Sequence, residues 1–442
     1  MSWRALLFLC LLSAAYAARG ETAPITLSIG HDAVALNGPW RFQVGDDPRW
    51  AQPGFDDSSW EDMDLSAPPD ANDGDVGITP YASGWDAKGH RGYQGYAWYR
   101  LRVAVAPATG EALALLGPWA VDSTYQVYVD GRLLGGVGDF SGSTPRAYGD
   151  HYPTRFALPP DLGKGGSMTL AIRVWCGPFA VGAGGIHVAP AIGTQAAIDA
   201  RHRLQWLTIF EGYAVDAVPA LLFGLMAMLA LCLWPFERAS RAYPWLAVAM
   251  LLSGIQRGNQ SFFFWWQIET IPEFVLVILV LVSSLSLGTW MMAWRSWFKL
   301  ERPAWLPKAI LGLTLFLLLA QLLNRLPVLG VELPHWLGRT AHYAVTWTRY
   351  AFVFTFCAIA YAGVRLRGRE GLYTLPAILA IGSVLFAGEL NALHVPGIWF
   401  PWGIGVSLGE YASVVFDVLL AVLLLRRLWS HASNTIHPEV SA

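Results

Sequence analysis

Beyond residue 212 the chain becomes a series of apolar runs of bilayer-spanning length, separated by short polar breaks. Seven can be marked, at about Tyr213–Phe236, Tyr243–Phe264, Phe274–Trp294, Pro307–Leu323, Ala341–Val364, Leu372–Leu390 and Gly403–Leu425. Each is close to the roughly 17–25 residues that a helix needs to cross a bilayer. In lipid each backbone N–H and C=O must be satisfied within the segment, so such runs must be helical. The expectation is an all-α seven-helix transmembrane bundle over 213–425, with a short tail at 426–442. Composition agrees: the chain is 54% hydrophobic and 14% charged, against roughly 45–50% and 25% for soluble domains. A net charge of −2 offers no electrostatic attraction for nucleic acid.

Basic residues in the short loops predict the orientation. Exits from the odd-numbered spans carry Arg238 and Arg241, then Arg295, Lys299, Arg302 and Lys308, then Arg365, Arg367 and Arg369, and finally Arg426 and Arg427. Even-numbered exits carry only Arg325, Arg339 and, near the boundary, Arg257. The basic side is expected to be cytoplasmic, which puts the N-terminal half outside and the C-terminus inside. The first residues point the same way. Trp3-Arg4, the apolar Ala5–Ala14 and then Ala15-Tyr16-Ala17 read as a signal peptide, residues 1–17, cleaved after Ala17. An uncleaved anchor helix is the alternative, and the short apolar core argues against it. Together these place the chain in a bacterial inner membrane with a periplasmic or extracellular N-terminal domain.

That domain, 22–188, alternates short β-type runs with turn signals: Trp40–Val44, Ala97–Val105, Leu113–Leu116, Ser123–Val129 and Met168–Trp175. Asp130-Gly131 after the last Val of Ser123–Val129 is a hairpin signal. Many short strands of this kind predict an all-β sandwich or jelly roll. In Trp98-Tyr99-Arg100-Leu101-Arg102-Val103, alternation is expected to put one face inward and one outward. Asp56 and Asp57 are expected to close an Asx-type turn that presents Trp60 to the core. Residues 189–212 read as a linker, with a short amphipathic lead-in at Ala196–Gln205. Cysteine is scarce: Cys176 alone remains in the processed domain, which therefore holds no internal disulfide, and Cys232 and Cys357 fall in apolar runs. Packing thiols are the expectation, with neither zinc spacing nor a cofactor motif.

The order Leu36-Asn37-Gly38-Pro39-Trp40-Arg41-Phe42, Gly45-Asp46-Asp47, Trp50, Phe55-Asp56-Asp57-Ser58-Ser59-Trp60, Gly92-Tyr93, Ala97-Trp98-Tyr99-Arg100, Tyr125–Gly131 and Ala171-Ile172-Arg173-Val174 resembles the N-terminal sugar-binding domain of family 2 glycoside hydrolases. The resemblance covers roughly 150 residues and implies a galactose-binding-like jelly roll. In those hydrolases the catalytic carboxylates stand on a following barrel. Here a membrane bundle follows instead, so a glycosidase is not expected, because that chemistry needs two carboxylates at a fixed separation.

Ligand-binding candidates are sought in the turn-rich stretch 70–94: Asp73, Asp75, Tyr81, Trp85, Asp86, His90, Arg91 and Tyr93. Aromatic rings stack on the apolar faces of sugars, and carboxylates accept their hydroxyl hydrogen bonds. A merely structural loop is the alternative. Asp139–Tyr152 is a second such loop. Asp70, Asp73 and Asp75 would permit a structural calcium, although no liganding pattern is specific. In the bundle, Arg257, Arg349, Glu389 and Glu410 lie toward the outer half, among other polar residues such as Asp216, Asn259 and Asp417. Charges there face a partner or a wet cavity, so they read either as structural pairs or as the lining of an outward-facing pocket.

A signal-peptided β-domain followed by seven such helices resembles the bacterial seven-transmembrane receptors with diverse intracellular signalling modules. The resemblance implies a non-enzymatic sensor with a small-molecule ligand outside, most readily a carbohydrate, and output inside. About fifteen residues follow Arg427, too few for an output domain, so the expectation is either a separate cytoplasmic signalling partner, besides membrane lipid, or an isolated or truncated receptor half. Two alternatives stand: a membrane-embedded carrier or enzyme with an accessory sugar module, and an envelope-glycan-binding scaffold.

Overall fold

The structure is a computed structural model, described for residues 24–28, 32–73, 77–106, 111–149, 151–159, 167–178, 184–393 and 408–436. The expected signal peptide and Asp75 lie outside these residues. The chain divides into two compact units at Ile209/Phe210.

The first unit is built from two sheets. The larger has the order β4-β3-β5-β10-β7-β8, from β3 (Trp40–Val44), β4 (Glu61–Met63), β5 (Gly95–Ala106), β7 (Thr124–Val129), β8 (Arg132–Val137) and β10 (Met168–Cys176). β1 (Ile25–Ser28) adds in parallel to the far end of the long β5, with Ile25 opposite Val103. The smaller sheet runs β2 (Val34–Ala35), β11 (Ala191–Thr194), β6 (Leu113–Leu116), β9 (Arg155–Ala157). Phe42, Val127, Ile172 and Val174 from the first sheet share one core with Leu115 and Ile192 from the second. The Asp130-Gly131 turn forms the β7–β8 hairpin as expected, both residues taking the positive φ (47° and 80°) of a type I′ turn.

β5 departs from the expected alternation. Trp98, Tyr99, Arg100, Leu101 and Val103 are all buried, because the strand is central and its outer face is covered too. The segment after β3 folds over that face, and Trp50, Phe55 and Trp60 pack on Trp98 and Ala171. Under this cover Arg100 Nε donates to Asp57 Oδ2 at 2.8 Å, with the Arg100 side chain wholly covered and Asp57 3% exposed. The remaining guanidinium nitrogens donate to the carbonyls of Trp50, Gln52 and Phe55. Asp56 alone closes the Asx turn, accepting from the Ser58 N–H at 3.0 Å; Asp57 is the counter-ion of Arg100. The family-like motif around Trp60 is therefore a lid over a buried ion pair.

The expected linker 189–212 is regular structure. Ala191 and Ile192 pair with both β2 and β6, and helix α1 (Gln195–Leu233) starts at once. Thr194 Oγ1 accepts from the Ala197 N–H at 3.3 Å and caps it.

The second unit is mostly helical: α2 (Ala242–Trp266), α3 (Ile271–Trp297), α4 (Leu306–Arg325), α5 (His335–Arg367), α6 (Arg369–Leu385), α7 (Ala387–Ala392) and α8 (Leu408–Ile436). Among the described residues, four helices are long and apolar enough to cross a membrane: those at Gln195–Glu237, Ile271–Trp297, Leu306–Leu329 and His335–Arg367. The remaining apolar runs of the sequence fall on α2, on α6 with α7, and on α8. Residues 394–402, and Gly403 where the last expected span begins, are outside the described part. α8 runs to Ile436, into the expected tail. The core of this unit is made by Phe223, Met250, Trp290, Trp294, Phe352 and Phe416 with their neighbours. In α3 the stretch Val275–Val282 is π-helical, a conformation frequent at functional sites. Of the cysteines, Cys176 is buried as expected, whereas Cys232 and Cys357 are exposed on their helices.

Candidate functional sites

In the first unit the candidate loop separates into two parts. From Trp85 to Tyr93 it is a compact turn fixed on the core. Trp85, expected as a binding aromatic, is 1% exposed and packs against Phe42 and Tyr93 at centroid distances of 5.9 and 5.7 Å. A Cβ on Gly184 would lie within 2.0–2.7 Å of the indole, so Trp85 has no face left for a ligand. Asp86, His90 and Tyr93 have internal partners, whereas the Trp85 indole N–H is buried without one. Asp86 accepts from the Gly92 N–H at 2.6 Å. His90 Nε2 lies 2.6 Å from Glu61 Oε1. Tyr93 donates to the Tyr96 carbonyl at 2.7 Å. Arg91 is exposed.

Asp73 and Tyr81 belong to a different group. The chain segments at Ala120–Asp122, His151–Tyr152 and Gly185–His187 run side by side, bridged at Ala120/His151 and Val121/Ile186. They bring Asp122, His151 and His187 together under the loop that carries Asp73 and Tyr81. His187 Nε2 is 3.0 Å from Asp122 Oδ2 and its Nδ1 is 2.9 Å from the Ala82 carbonyl. Both neighbours are acceptors, so the imidazolium satisfies both where the neutral ring satisfies one. Tyr81, half-buried, lies flat on His187 with centroids 4.5 Å apart and 3° between the planes. His151 Nε2 is 3.9 Å from Asp73 Oδ2, and Asp73 Oδ1 accepts from the Ile78 N–H at 2.6 Å. Burial pushes the His151 imidazole down to about 4; the Asp122 charge opposes this and His187 reinforces it.

Sequence reasoning named Asp73 and Tyr81 but missed Asp122, His151 and His187. His151 lies inside the second loop, Asp139–Tyr152, which was the available signal. Asp122 and His187 stand alone in the sequence and are joined only by the pairing of their segments. Among the described residues no group of three or more His, Cys, Asp or Glu is arranged to hold a metal ion.

In the second unit the four expected membrane-buried charges form two groups, Arg257 with Glu410 and Arg349 with Glu389. Arg257 on α2 has Nη1 3.0 Å from Asp216 on α1 and 2.5 Å from Glu410 on α8. Arg349 on α5 donates to both Glu389 oxygens, at 2.8 Å from Nη2, and to the Leu385 carbonyl at 3.2 Å. Glu389 is on the short α7, so Arg349 ties α5 to the end of the α6–α7 segment. Arg257, Asp216, Glu410 and Arg349 line a cavity of about 360 Å³, together with Gln256, Gln260 and residues of the π-helical turn of α3. Ser286, also in its wall, has a buried hydroxyl without a hydrogen-bond partner. The two readings left open by the sequence therefore coincide for Arg257, Arg349 and Glu410, which are paired and line a pocket; Glu389 is paired with Arg349 and stands outside the lining residues.

No family model matches the chain, and no curated protein matches it. Similar solved structures are glycoside hydrolases, matched over the N-terminal region. A Bacteroides uniformis β-glucuronidase is 21% identical over 36% of this chain and 17% of its own, with a TM-score of 0.28. A family 2 glycosyl hydrolase from Bacteroides cellulosilyticus is 16% identical over 37% and 20%, with a TM-score of 0.25. A Bifidobacterium dentium β-glucuronidase is 18% identical over 35% and 22%, with a TM-score of 0.24. The chain spans about a fifth of the length of these structures.

Proposed function

We propose that the protein is a non-enzymatic membrane sensor. Its β-domain, read as a jelly roll on the outer side of a bacterial inner membrane, binds a small ligand, a carbohydrate by the resemblance of its motifs. The ligand shifts the arrangement of seven membrane-crossing helices, and a separate cytoplasmic partner receives the signal. The observation that carries this reading is chain continuity from a sheet to an ion-pair relay. Strand β11 runs without a loop into α1, and the same helix carries Asp216, one of the two carboxylates on Arg257. Arg257 holds Asp216 and Glu410 at once and so joins three helices; release of one carboxylate or the other would supply the discrete alternatives that a two-state element needs. The shift can be no larger than the ligand's differential affinity for the two states.

The test is thermal unfolding of the full chain in lipid nanodiscs against mono- and oligosaccharides. A ligand of the folded state stabilises by about 2.7 kcal/mol at 100-fold over its Kd. A selective rise that is lost in Tyr81→Ala supports sensing. No response to any sugar from a folded protein removes carbohydrate from the proposal.

A second reading is favoured by the pocket itself: a carrier or enzyme acting on a small polar substrate within the helices. It predicts that Arg349→Ala abolishes turnover or uptake while leaving sugar binding by the β-domain intact. The sensor reading predicts instead that sugar binding persists but no longer changes helix-to-helix distances.

A further inference from the structure

The second unit holds a cluster of charge that neither reading uses. At the ends of α3 and α5, against the C-terminal part of α8, a crevice of about 350 Å³ is lined by Lys299, Arg367, Arg426 and Arg427 together with two carboxylates, Glu237 and Glu370. Glu237 is already engaged, by the Tyr243 hydroxyl at 3.2 Å and by Lys299 at 3.6 Å. An adjoining crevice of about 520 Å³ shares Glu237 and Lys299 and adds Arg241, Arg295 and the carboxylate Glu301; the Arg295 Nε is buried without a hydrogen-bond partner.

The guanidinium groups are held by ring and carbonyl contacts. Arg427 lies 3.6 Å from the Trp297 ring centroid, and its Nη2 donates to the Trp297 carbonyl at 2.9 Å. Arg426 lies 4.3 Å over Tyr373. Arg367 Nε donates to the Phe298 carbonyl at 2.9 Å. Capping of helix carbonyls accounts for one nitrogen each of Arg367 and Arg427, and it accounts for neither Arg426 nor Lys299. A guanidinium stacked on an aromatic ring keeps its N–H edge for acceptors in its own plane. Several guanidinium groups lining one crevice match a tetrahedral oxyanion, which can accept from more than one fork at once.

We propose that this crevice binds a phosphate group, either the headgroup phosphate of an anionic lipid or a soluble phosphate. The four cations exceed the two carboxylates, so a phosphodiester or phosphomonoester brings the site toward neutrality. Basic pockets between the ends of membrane helices suit such headgroups. The proposal stands apart from the sensor reading and survives its failure.

The test uses the full chain in phosphatidylcholine nanodiscs with and without phosphatidylglycerol. Bound phosphatidylglycerol is counted by native mass spectrometry, and inorganic phosphate is added to the phosphatidylcholine discs and followed by its phosphorus resonance. The wild type is expected to retain phosphatidylglycerol selectively, or to broaden and shift the phosphate resonance. The first outcome identifies a lipid source and the second a soluble one. Arg367→Gln with Arg426→Gln should weaken retention about thirtyfold, since each basic residue near an anionic headgroup contributes about fivefold. Arg426→Lys should lose less than Arg426→Gln. If the double variant fails to fold, the single Arg426→Gln decides, because that side chain is exposed and stacked rather than buried. Equal retention by wild type and Arg426→Gln, with no effect on the phosphate resonance, overturns the proposal.

Discussion

Replacing Asp57 by Ala should be among the most damaging single changes in the β-unit, although the residue touches no candidate ligand site. The Arg100 side chain has no solvent exposure, and its three carbonyl partners hold it in place. Without Asp57 the guanidinium keeps its charge and cannot turn out to water through the cover of Phe55 and Trp60, whose ring centroids stand 5.6 and 5.9 Å from it. Removing one partner of a buried pair costs about 3–5 kcal/mol, most of it the penalty of the charge left behind. A secondary contact, from Arg102 at 3.6 Å, is lost as well. At about 1.4 kcal/mol per decade, globally protected amides in β5 and β10 should exchange roughly two to four decades faster. Hydrogen–deuterium exchange read by mass spectrometry resolves those strands within the full chain. The double variant Asp57→Leu with Arg100→Met removes both charges and should lose less than the sum of the single changes. A single variant whose strands exchange less than about fivefold faster would refute the argument that Arg100 is trapped.

Three further outcomes follow from the same physical chemistry. His151 titrates at about 4 when folded, against an ordinary value of 6.5, so the unfolded chain binds the proton first. Stability from this residue is therefore complete above pH 6.5 and is lost as pH falls toward 4, by at most about 3 kcal/mol; denaturation midpoints between pH 4 and 7 measure it, and His151→Gln should flatten that profile. Arg257→Ala leaves Asp216 and Glu410 facing each other without their cation, whereas Glu410→Ala leaves Arg257 still paired with Asp216; melting in nanodiscs should show the first as the more damaging, by about 3–5 kcal/mol against less. Asp417 on α8 is 3% exposed and neither carboxylate oxygen has a hydrogen-bond partner; Asp417→Asn, which removes any charge at constant shape, should leave the melting temperature unchanged or raise it, and a marked fall would point to a role for the charge.

Much of the architecture is written in local pattern. Long apolar runs that meet lipid must satisfy their backbone groups internally, which a helix does, and the expected runs fall on helices among the described residues, four of them long and apolar enough to cross a membrane. Short β-type runs between turn signals, with an Asp-Gly turn, located β3, β5, β6, β7 and β10, because strand propensity and turn chemistry act within a few residues. The short strands β2, β4 and β9 escaped, since two or three residues carry no period of their own; they exist because longer neighbours supply their hydrogen bonds. β11 was read as a linker for the same reason, being held by β2 and β6 on either side.

The sites follow a different rule. Charges inside apolar runs are conspicuous in any sequence, so Arg257, Arg349, Glu389 and Glu410 were visible; which carboxylate meets which guanidinium was not, because helix packing brings together residues up to 153 positions apart. Trp85 looked like a ligand platform, since an aromatic in a glycine-rich loop has the same local signature whether it faces water or the core. Gly184, 99 residues away in sequence, presses on its ring and closes that choice. Asp122, His151 and His187 carried no mutual spacing that a sequence displays, and they become a cluster only when three separate segments pair. Composition and period thus mark where the chain is apolar enough to cross a membrane and where it forms sheets, because those forces act on neighbours along the chain. Tertiary structure alone decides which polar groups share a site, because electrostatic and hydrogen-bond partners are chosen by distance in space.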